Sequence, residues 1–293
     1  MDLSFLRSFV AVVEAGSIAE AARRRDLTPA AVALQVRVLE REVGARLLAR
    51  AGRTVAPTPA GQRILDGARA TLREFESLKA LASEGHASGE LRIGTINTAL
   101  HSLVPPLLSR FAQAYPMVKV LIQSGTSAEL YNALRAGEYD AAVCLHPRFE
   151  LPKTCVWDHL RDEPLVVLAP AHLARSDPHA LLVSQPLIRY DRSLGGGKQA
   201  DAYLRAAGLG VNERFELNSL LAIGMMVERG LGVSLVPDIA SPALDMLRVV
   251  KLPLPVATAP RRFGVLWQRT SPRAILIRHF VDMAREVLVD GGT

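Results

Sequence analysis

Residues 17–41, SIAEAARRRDLTPAAVALQVRVLER, decide the fold of the first part of the chain. Ser17 and Glu20 form a capping box that starts a short helix. Thr28 followed by Pro29 is a preferred N-cap and first position for a second helix. Only a short turn separates the two. Two short helices joined in this way predict a helix-turn-helix.

The helix that begins after Thr28 has two distinct faces. Its expected core stripe, spaced four, three and four residues apart, is Val32, Val36, Leu39 and Val43. The opposite face carries small side chains near its start and arginines further along, as expected for a helix that approaches base pairs and phosphates. The candidate contacts are Thr28, Pro29, Ala30, Ala33, Leu34, Arg37 and Arg41. An exposed Leu34 would suit a thymine methyl group.

A wing is predicted after this helix. Residues 45–57 read as two short extended runs around a turn, and Arg50 and Arg53 flank the turn, where they would follow a minor groove. Between Arg23 and Arg53, eight arginines oppose three acidic residues, a net +5 in a chain of net charge +6. This concentration indicates a polyanionic partner. A solvated basic face, or a small helical domain for protein contacts, is the alternative.

The composition is that of an ordinary globular protein. The chain has 293 residues, 49% of them hydrophobic and 22% charged, which excludes disordered and fibrous classes and predicts about two domains. Its apolar runs are far shorter than the roughly 20 residues of a membrane helix, and it opens without a secretory signal pattern, so we expect a cytoplasmic protein with no membrane partner. Cys144 and Cys155 are too few for a disulfide framework or a four-cysteine zinc site, and buried structural cysteines are favoured over a redox pair.

A long helix is predicted to follow the wing. Thr58 and Pro59 repeat the capping pattern, and the helical periodicity continues to about Ser83. A short apolar seam for a partner helix is formed by Leu65, Ala68, Leu72 and Phe75. Alternatively, this face could lie on the helix's own domain. Residues 85–89 predict a flexible joint.

From Leu91 onward, strand-like runs alternate with helices, which predicts βαβ units and a parallel sheet. Ligands of such sheets bind beyond the carboxyl ends of the strands, near helix N-termini. The candidate residues at such ends are Thr98, Thr126, His146, Arg192 and Asn218. Thr126 and Glu129 also form a capping box. The plainer alternative is that the Thr and Asn side chains only cap helices and that His146 and Arg192 are solvated.

Motifs of catalysis are absent from the sequence. Residues 195–198, Gly-Gly-Gly-Lys, lack the first glycine and the final Ser or Thr of a phosphate-binding loop, and we expect a mobile loop near the cleft mouth. The histidines form no metalloprotease motif, and no nucleophile elbow occurs. We therefore expect no enzyme activity, no cofactor and no metal.

These patterns together resemble the LysR-type transcriptional regulators. Over residues 1–65 the resemblance is carried by Phe9-Val10-Ala11-Val12, Gly16-Ser17, Ala21-Ala22, Leu27-Thr28-Pro29, Val32, Gln35-Val36-Arg37, Leu39-Glu40, Leu47-Leu48, Arg50, Thr58 and Gly61. Over the second half it is looser and is carried by Arg92-Ile93-Gly94, Pro105-Pro106-Leu107-Leu108, Phe111, Tyr115-Pro116, Gly137-Glu138-Tyr139-Asp140 and Gly230-Leu231-Gly232-Val233. The chain departs from the family at Pro29, Ala33 and Leu34, where polar side chains are usual. Fewer hydrogen bonds to DNA are therefore expected.

The resemblance implies a multidomain α + α/β fold with an N-terminal winged helix-turn-helix, a long linker helix and a C-terminal effector domain. The effector domain would be two-lobed and Rossmann-like, as in periplasmic binding proteins. The implied bounds are 1–58 for the DNA-binding domain, 59–86 for the linker, 91–163 with 269–293 for effector subdomain I, and 164–268 for subdomain II.

The implied function is sequence-specific transcriptional regulation in response to a small molecule bound between the two subdomains. By position, Thr98 and Thr126 match effector-contacting places in the family. The implied partners are double-stranded DNA with an interrupted inverted repeat, further copies of the chain in a dimer or tetramer, and RNA polymerase if the regulator activates. Clustered Thr and Asn side chains with a nearby Arg favour an organic anion as effector. A solute-binding module without a DNA role and an enzyme are the competing classes.

Overall fold

The computed structural model describes residues 2–52, 54–82, 89–256 and 258–290. The elements of the N-terminal unit are α1 (Leu3–Ala15), α2 (Ile18–Arg24), α3 (Pro29–Val43), β1 (Leu48–Ala51), β2 (Thr54–Pro57) and α4 (Pro59–Ala82). Ser17, Thr28 and Thr58 each accept a hydrogen bond through the side-chain oxygen from the backbone amide three residues later, at 3.4, 3.2 and 3.0 Å. The predicted starts of α2, α3 and α4 are therefore confirmed. Strands β1 and β2 pair antiparallel and form the predicted wing.

The core of this unit lies under the inner face of α3. Phe9 of α1 and Leu39 of α3 are fully buried, and Val32 and Val36 complete the stripe on α3. Val43 was expected in the same stripe, but this prediction is wrong, since its side chain is 42% exposed. Val43 is the last residue of α3, where the chain turns away toward the wing.

The first turns of α4 pack on their own domain. Leu65 and Ala68 are 4% and 6% exposed, and together with Leu72 they join the apolar cluster that contains Leu6 and Phe9. Because α1 covers this face, the alternative that it lies on the helix's own domain is confirmed for Leu65 and Ala68. The seam for a partner helix, which also includes Phe75, stays a prediction.

Further along α4, the guanidinium carbon of Arg7 lies 5.9 Å from the ring centre of Phe75. The described part of the helix ends at Ala82, and the joint expected at residues 85–89 falls outside the described residues except for Gly89.

The C-terminal unit contains a first subdomain around a five-stranded sheet. Its elements are β3 (Gly89–Thr95), α5 (Asn97–Leu100), α6 (Val104–Ala114), β4 (Val118–Ser124), α7 (Ser127–Arg135), β5 (Ala141–Leu145), β6 (Cys155–Glu163), β12 (Arg261–Gln268) and α12 (Ala274–Asp290). The strand order is β4-β3-β5-β12-β6. Strands β3 and β5 are parallel, but β12 is antiparallel to both β5 and β6, so the sheet is mixed rather than parallel as expected.

The position of β12 also corrects one expected subdomain bound. Residues up to 268 were expected in subdomain II, whereas β12 hydrogen-bonds between β5 and β6 in the first sheet. The chain therefore returns to subdomain I at Arg261, since backbone pairing rather than position in the chain decides membership. As expected, the helix that follows completes this subdomain, with Ile277 and Phe280 of α12 buried in its core.

The second subdomain is built from two smaller sheets. Its elements are β7 (Leu165–Pro170), α8 (Pro178–Ser184), β8 (Pro186–Tyr190), α9 (Gly195–Ala206), β9 (Asn212–Leu217), α10 (Leu220–Glu228), β10 (Ser234–Pro237), α11 (Pro242–Asp245) and β11 (Val249–Pro253). Strands β10 and β11 pair antiparallel with the buried β7, and β8 pairs parallel with β9. A parallel bridge between Leu187 and Val233 connects the two sheets.

Candidate DNA-binding surface and effector cavity

The outward face of α3 presents the residues that the sequence places there. Thr28, Pro29, Ala30, Arg37 and Arg41 are exposed, Ala33 is half-buried and Leu34 is 54% exposed. Residues three and four apart share a helix face, so positions 30, 34, 37 and 41 form one stripe. Arg50 is exposed on the wing strand β1, and Arg53 lies outside the described residues. The predicted contacts on α3 thus form one surface.

Not all of the clustered arginines are directed outward. Arg25 is partly buried, and its guanidinium donates to the backbone oxygen of Ser4 at 3.2 Å and to Gln35 Oε1 at 3.3 Å. It also contacts the hydroxyl of Ser8, which donates to Gln35 Oε1 at 2.5 Å. Burial lowers the pKa of the Arg25 guanidinium. Arg25 therefore joins α1 to α3 instead of serving a polyanion.

Two more arginines of this segment are paired within α2. Arg24 Nε lies 3.0 Å from a carboxylate oxygen of Glu20, and Arg23 contacts the other oxygen of the same carboxylate. Arg46 was missed by sequence reasoning, and it is exposed in the turn between α3 and the wing. The described basic surface therefore consists of Arg37, Arg41, Arg46 and Arg50.

A cavity of about 1370 Å³ lies in the C-terminal unit, bordered by the ends of β3, β4, β5 and β8, by the start of α9 and by the segment before β12. Four of the five predicted effector residues line it: Thr98, Thr126, His146 and Asn218. Arg192 does not line it. Instead, Arg192 Nη2 pairs with Glu213 and Glu216 at 2.6 and 3.3 Å on the sheet formed by β8 and β9. The expectation that Arg192 faces the cleft is therefore corrected.

The structure shows which of the effector candidates cap a helix and which only line the cavity. Thr126 and Glu129 form the predicted capping box: the Thr126 amide donates to the Glu129 carboxylate at 2.8 Å, and the Glu129 amide donates to Thr126 Oγ1 at 3.3 Å. Hydrogen bonding from Thr126 lowers the pKa of Glu129. Asn218 was expected to cap α10, but Ser219 takes that place and leaves Asn218 at the cavity. This cap was displaced by one residue because Ser and Asn are both good N-caps.

For Thr98, the alternative of a helix cap does not hold. It lies inside α5 and is 6% exposed, and its Oγ1 accepts a hydrogen bond from Arg261 Nη2 at 3.3 Å. His146 is held by a contact of 2.6 Å between Nδ1 and the backbone oxygen of Pro147. Its ring stands edge-on to that of Trp157, with 5.0 Å between the ring centres.

The glycine run at residues 195–198 is the start of helix α9 and not the expected loop. A Cβ atom at Gly197 would lie 1.9 Å from the backbone oxygen of Asp191, so the glycine is required for the helix to approach β8 closely. Gly195, Lys198 and Gln199 line the cavity, which agrees with the expected location near the cleft.

Sequence reasoning missed a buried charge cluster beside the cavity. Glu163 ends β6 and is 1% exposed, and Arg261 begins β12 opposite it and is 8% exposed. Arg161 donates to Glu163 Oε1 at 2.8 and 2.6 Å through Nε and Nη2, while Arg261 contacts Oε2. Two arginines thus share one carboxylate, leaving one positive charge in excess. The pKa of Tyr190 is raised chiefly by its burial, and the nearby charge of Arg261 opposes this rise.

The charge of the cavity wall is strongly positive. Its basic residues are Arg148, Lys198, Arg261 and Arg262, and its acidic residue is Glu129, so four positive charges less one negative give +3. Aromatic side chains, including Tyr131, Phe149 and Tyr203, also line it. Such a wall suits an anion that carries an apolar body.

Two family models match the chain. The bacterial regulatory helix-turn-helix of the lysR family matches residues 3–62, and the LysR substrate binding domain matches residues 84–289. The chain belongs to the LysR family. It is therefore a DNA-binding transcriptional regulator with a substrate-binding effector domain, and the predicted fold class and function are confirmed.

Individual LysR-type relatives span nearly the whole chain. The regulator TfdS of Cupriavidus pinatubonensis is 33% identical over 298 residues, which cover 97% of this chain and 98% of TfdS. A full-length variant of OxyR from Pseudomonas aeruginosa has a TM-score of 0.70 at 26% identity, covering 97% of this chain and 95% of that one. CbnR, solved as a complex with its target DNA, shares the fold with a TM-score of 0.66 at 20% identity, covering 98% and 100%.

Curated relatives are named as transcriptional regulators, so the alternatives of an enzyme and of a solute-binding module without a DNA role are set aside. Within the described residues, no helix is long and apolar enough to cross a membrane. Those same residues bring no three His, Cys, Asp or Glu side chains together as a metal site.

Proposed function

We propose that α3 is the recognition helix and that the wing supports it on the duplex. The proposed contacts are Thr28, Pro29, Ala30, Ala33, Leu34, Arg37, Arg41, Arg50 and, from the sequence alone, Arg53. To these we add Arg46, which is exposed beside the wing. Phosphate contacts by the arginines would set the position of the helix, while the small residues at its start allow close approach to the bases.

We further propose that the effector is a small organic anion bound in the 1370 Å³ cavity. The observation that carries this proposal is the net charge of +3 on the cavity wall, which includes the buried Arg261. Thr98, Thr126, His146 and Asn218 remain proposed contacts, and Arg261 replaces Arg192. An anion would compensate the excess positive charge that Arg161 and Arg261 leave around Glu163.

The proposed assembly is a dimer or tetramer that reads an interrupted inverted repeat, because a two-fold dimer meets two half-sites on one face of DNA. The assembly would have two arrangements of its DNA-binding domains, and the effector would bind one of them more tightly. The ratio of these two affinities sets how far the effector shifts the population. If the regulator activates, RNA polymerase is a further partner. Because its DNA target lies there, the proposed location is the cytoplasm of a bacterium.

The proposed division of the chain keeps 1–58 as the DNA-binding domain and 59–86 as the linker. Effector subdomain I is 91–163 together with the segment from Arg261 onward, and subdomain II is 164–260. The pairing of β12 supports this revised bound.

The DNA surface is tested by footprinting purified full-length protein on fragments of its source genome at two salt concentrations. We expect protection of an interrupted inverted repeat that weakens as salt rises. Arg37→Ala should weaken binding and lower the salt slope. Arg175→Ala, which removes an equally charged exposed residue from the C-terminal unit, is the matched control. Unchanged affinity and slope for Arg37→Ala would remove Arg37 from the surface.

The effector site is tested by the thermal stability of the full-length protein with benzoate, acetate, phosphate and the neutral benzamide at constant ionic strength. We expect at least one anion to raise the melting temperature more than benzamide does. Thr98→Ala should reduce this rise, whereas Arg192→Gln should leave it unchanged. Equal behaviour of all four compounds would refute an anion-selective cavity.

A further inference from the structure

The first half of the recognition helix carries almost no outward hydrogen-bonding side chain. Pro29, Ala30 and Leu34 are exposed, Ala33 is half-buried, and none of the four has a polar side-chain atom. Thr28 uses its Oγ1 as the helix cap, accepting from the Ala31 amide at 3.2 Å. The start of α3 therefore offers a DNA base edge an apolar surface.

The one amide side chain in this half of α3 is directed inward. Gln35 Oε1 accepts hydrogen bonds from Ser8 at 2.5 Å and from Arg25 at 3.3 Å, and Gln35 is half-buried. An amide would otherwise be the natural reader of adenine through a pair of hydrogen bonds. Because the Gln35 side chain is held between α1 and α3, it does not recognise adenine in this way.

The arginines of the same face lie further along the helix than this apolar surface. Arg37 Nε donates to the backbone oxygen of Ala33 at 3.3 Å, which holds the start of its side chain against the helix. Arg41 lies about 10 Å beyond Leu34 at 1.5 Å of rise per residue. With the exposed Arg46 and Arg50, these residues surround the apolar patch with positive charge, as a polyanion requires.

Leu34 is the most prominent member of this patch, with 54% of its surface exposed on an otherwise well-packed domain. Among the groups that base pairs present in the major groove, the apolar one is the C5-methyl of thymine. We propose that Leu34, flanked by Ala30 and Ala33, recognises thymine through this methyl group. This inference rests on the proposed role of α3 as the recognition helix, and it names the base feature that the helix reads.

The test uses a half-site taken from the protected DNA, in which each thymine is replaced singly by deoxyuridine. This change removes only the methyl group and leaves every hydrogen-bonding atom in place. We expect at least one position to lose about four-fold in affinity, the value of burying one methyl-sized group. At that position, 5-methylcytosine paired with guanine should bind better than unmethylated cytosine.

A variant and a matched control assign the effect to Leu34. Leu34→Ala should bind more weakly and should no longer distinguish deoxyuridine from thymine. Val43→Ala removes a branched, 42% exposed side chain from the far end of the same helix and should keep the distinction. Melting curves of both variants check that the domain stays folded.

The outcomes separate this inference from the proposed function. Specific protection with equal affinity for thymine and deoxyuridine at every position would overturn methyl recognition and leave α3 as the recognition helix. Persistence of the full deoxyuridine effect in Leu34→Ala would also overturn the assignment to Leu34. Diffuse binding without any protected site would overturn both.

Discussion

The substitution Glu163→Gln removes one negative charge from the buried cluster at the edge of the effector cavity. Glu163 is 1% exposed, and the side chains of its two partners, Arg161 and Arg261, are 17% and 6% exposed. Glutamine has nearly the same shape, so the two guanidinium groups would stay close together without a compensating carboxylate. Breaking a buried ion pair in this way costs about 3–5 kcal/mol of unfolding free energy.

This cost is large enough to measure as a change in melting temperature. For a unit of this size, 1 kcal/mol corresponds to about 2–4 °C, so the melting temperature should fall by roughly 6–20 °C. The two tryptophans of the chain, Trp157 and Trp267, both lie in the C-terminal unit, and their fluorescence therefore follows that unit alone.

The matched control is Glu216→Gln, which removes the same charge from an exposed pair with Arg192. It should leave the melting temperature nearly unchanged, because water screens such pairs. If Glu163→Gln melted within about 1–2 °C of the unsubstituted protein, the reasoning would be refuted. Glu163 would then not be shielded from water while balancing the charges of the two arginines.

Three further predictions follow from burial and pairing. Burial raises the pKa of the Cys144 thiol to about 12, so iodoacetamide at pH 8 should label it only after unfolding; mass spectrometry showing equal labelling before and after would contradict this. Hydrogen bonding with Arg189 holds the pKa of Glu213 below its ordinary value of 4.5. The ionised Glu213 therefore stabilises the fold above pH 4.5, and this stabilisation is lost as the pH falls through the lowered pKa. Glu213→Gln should therefore flatten the acid side of the stability curve measured in urea. Val36→Ala should lower the unfolding free energy of the N-terminal unit by about 2 kcal/mol, whereas Val43→Ala should have little effect. Thermal unfolding followed by circular dichroism measures both. Equal losses of stability would contradict this and would place both valines in the core.

Local signals in the sequence were sufficient for the helix starts. Thr28 with Pro29, and Thr126 with Glu129, are capping patterns in which the partners lie within three residues of each other. Chemistry at such short range depends little on the rest of the fold, and these predictions were confirmed. The cap at Asn218 failed by one position because its neighbour, Ser219, competes for the same amides.

Interactions between distant residues were beyond the sequence patterns. Glu163 and Arg261 lie 98 positions apart and meet only because β12 enters the sheet beside β6. Arg192 was expected at the cavity, yet Glu216, 24 positions later, pairs with it elsewhere because β9 runs beside β8. The same applies to Arg25, whose inward role follows from the packing of α1 on α3.

Glycine was misleading for a different reason. The mobile loop expected at residues 195–198 contains three glycines, which on their own account disfavour a helix. In the structure, the close approach of α9 to the backbone at Asp191 excludes any side chain at Gly197. Tertiary packing therefore overrides the local preference, and a single sequence gives no direct sign of it.

The central place of β12 in the five-stranded sheet has a consequence for biosynthesis. β12 is translated after all of β7–β11. Strands β5 and β6 therefore leave the ribosome long before β12, which pairs with both of them. During that interval both strands carry unpaired edges, which are ready templates for aggregation. A messenger truncated before the codon for Arg261 would yield chains with the winged helix-turn-helix and an unfinished effector domain. Such chains could bind DNA but could not respond to an effector. Chaperones or proteases that remove them would keep them off the operators.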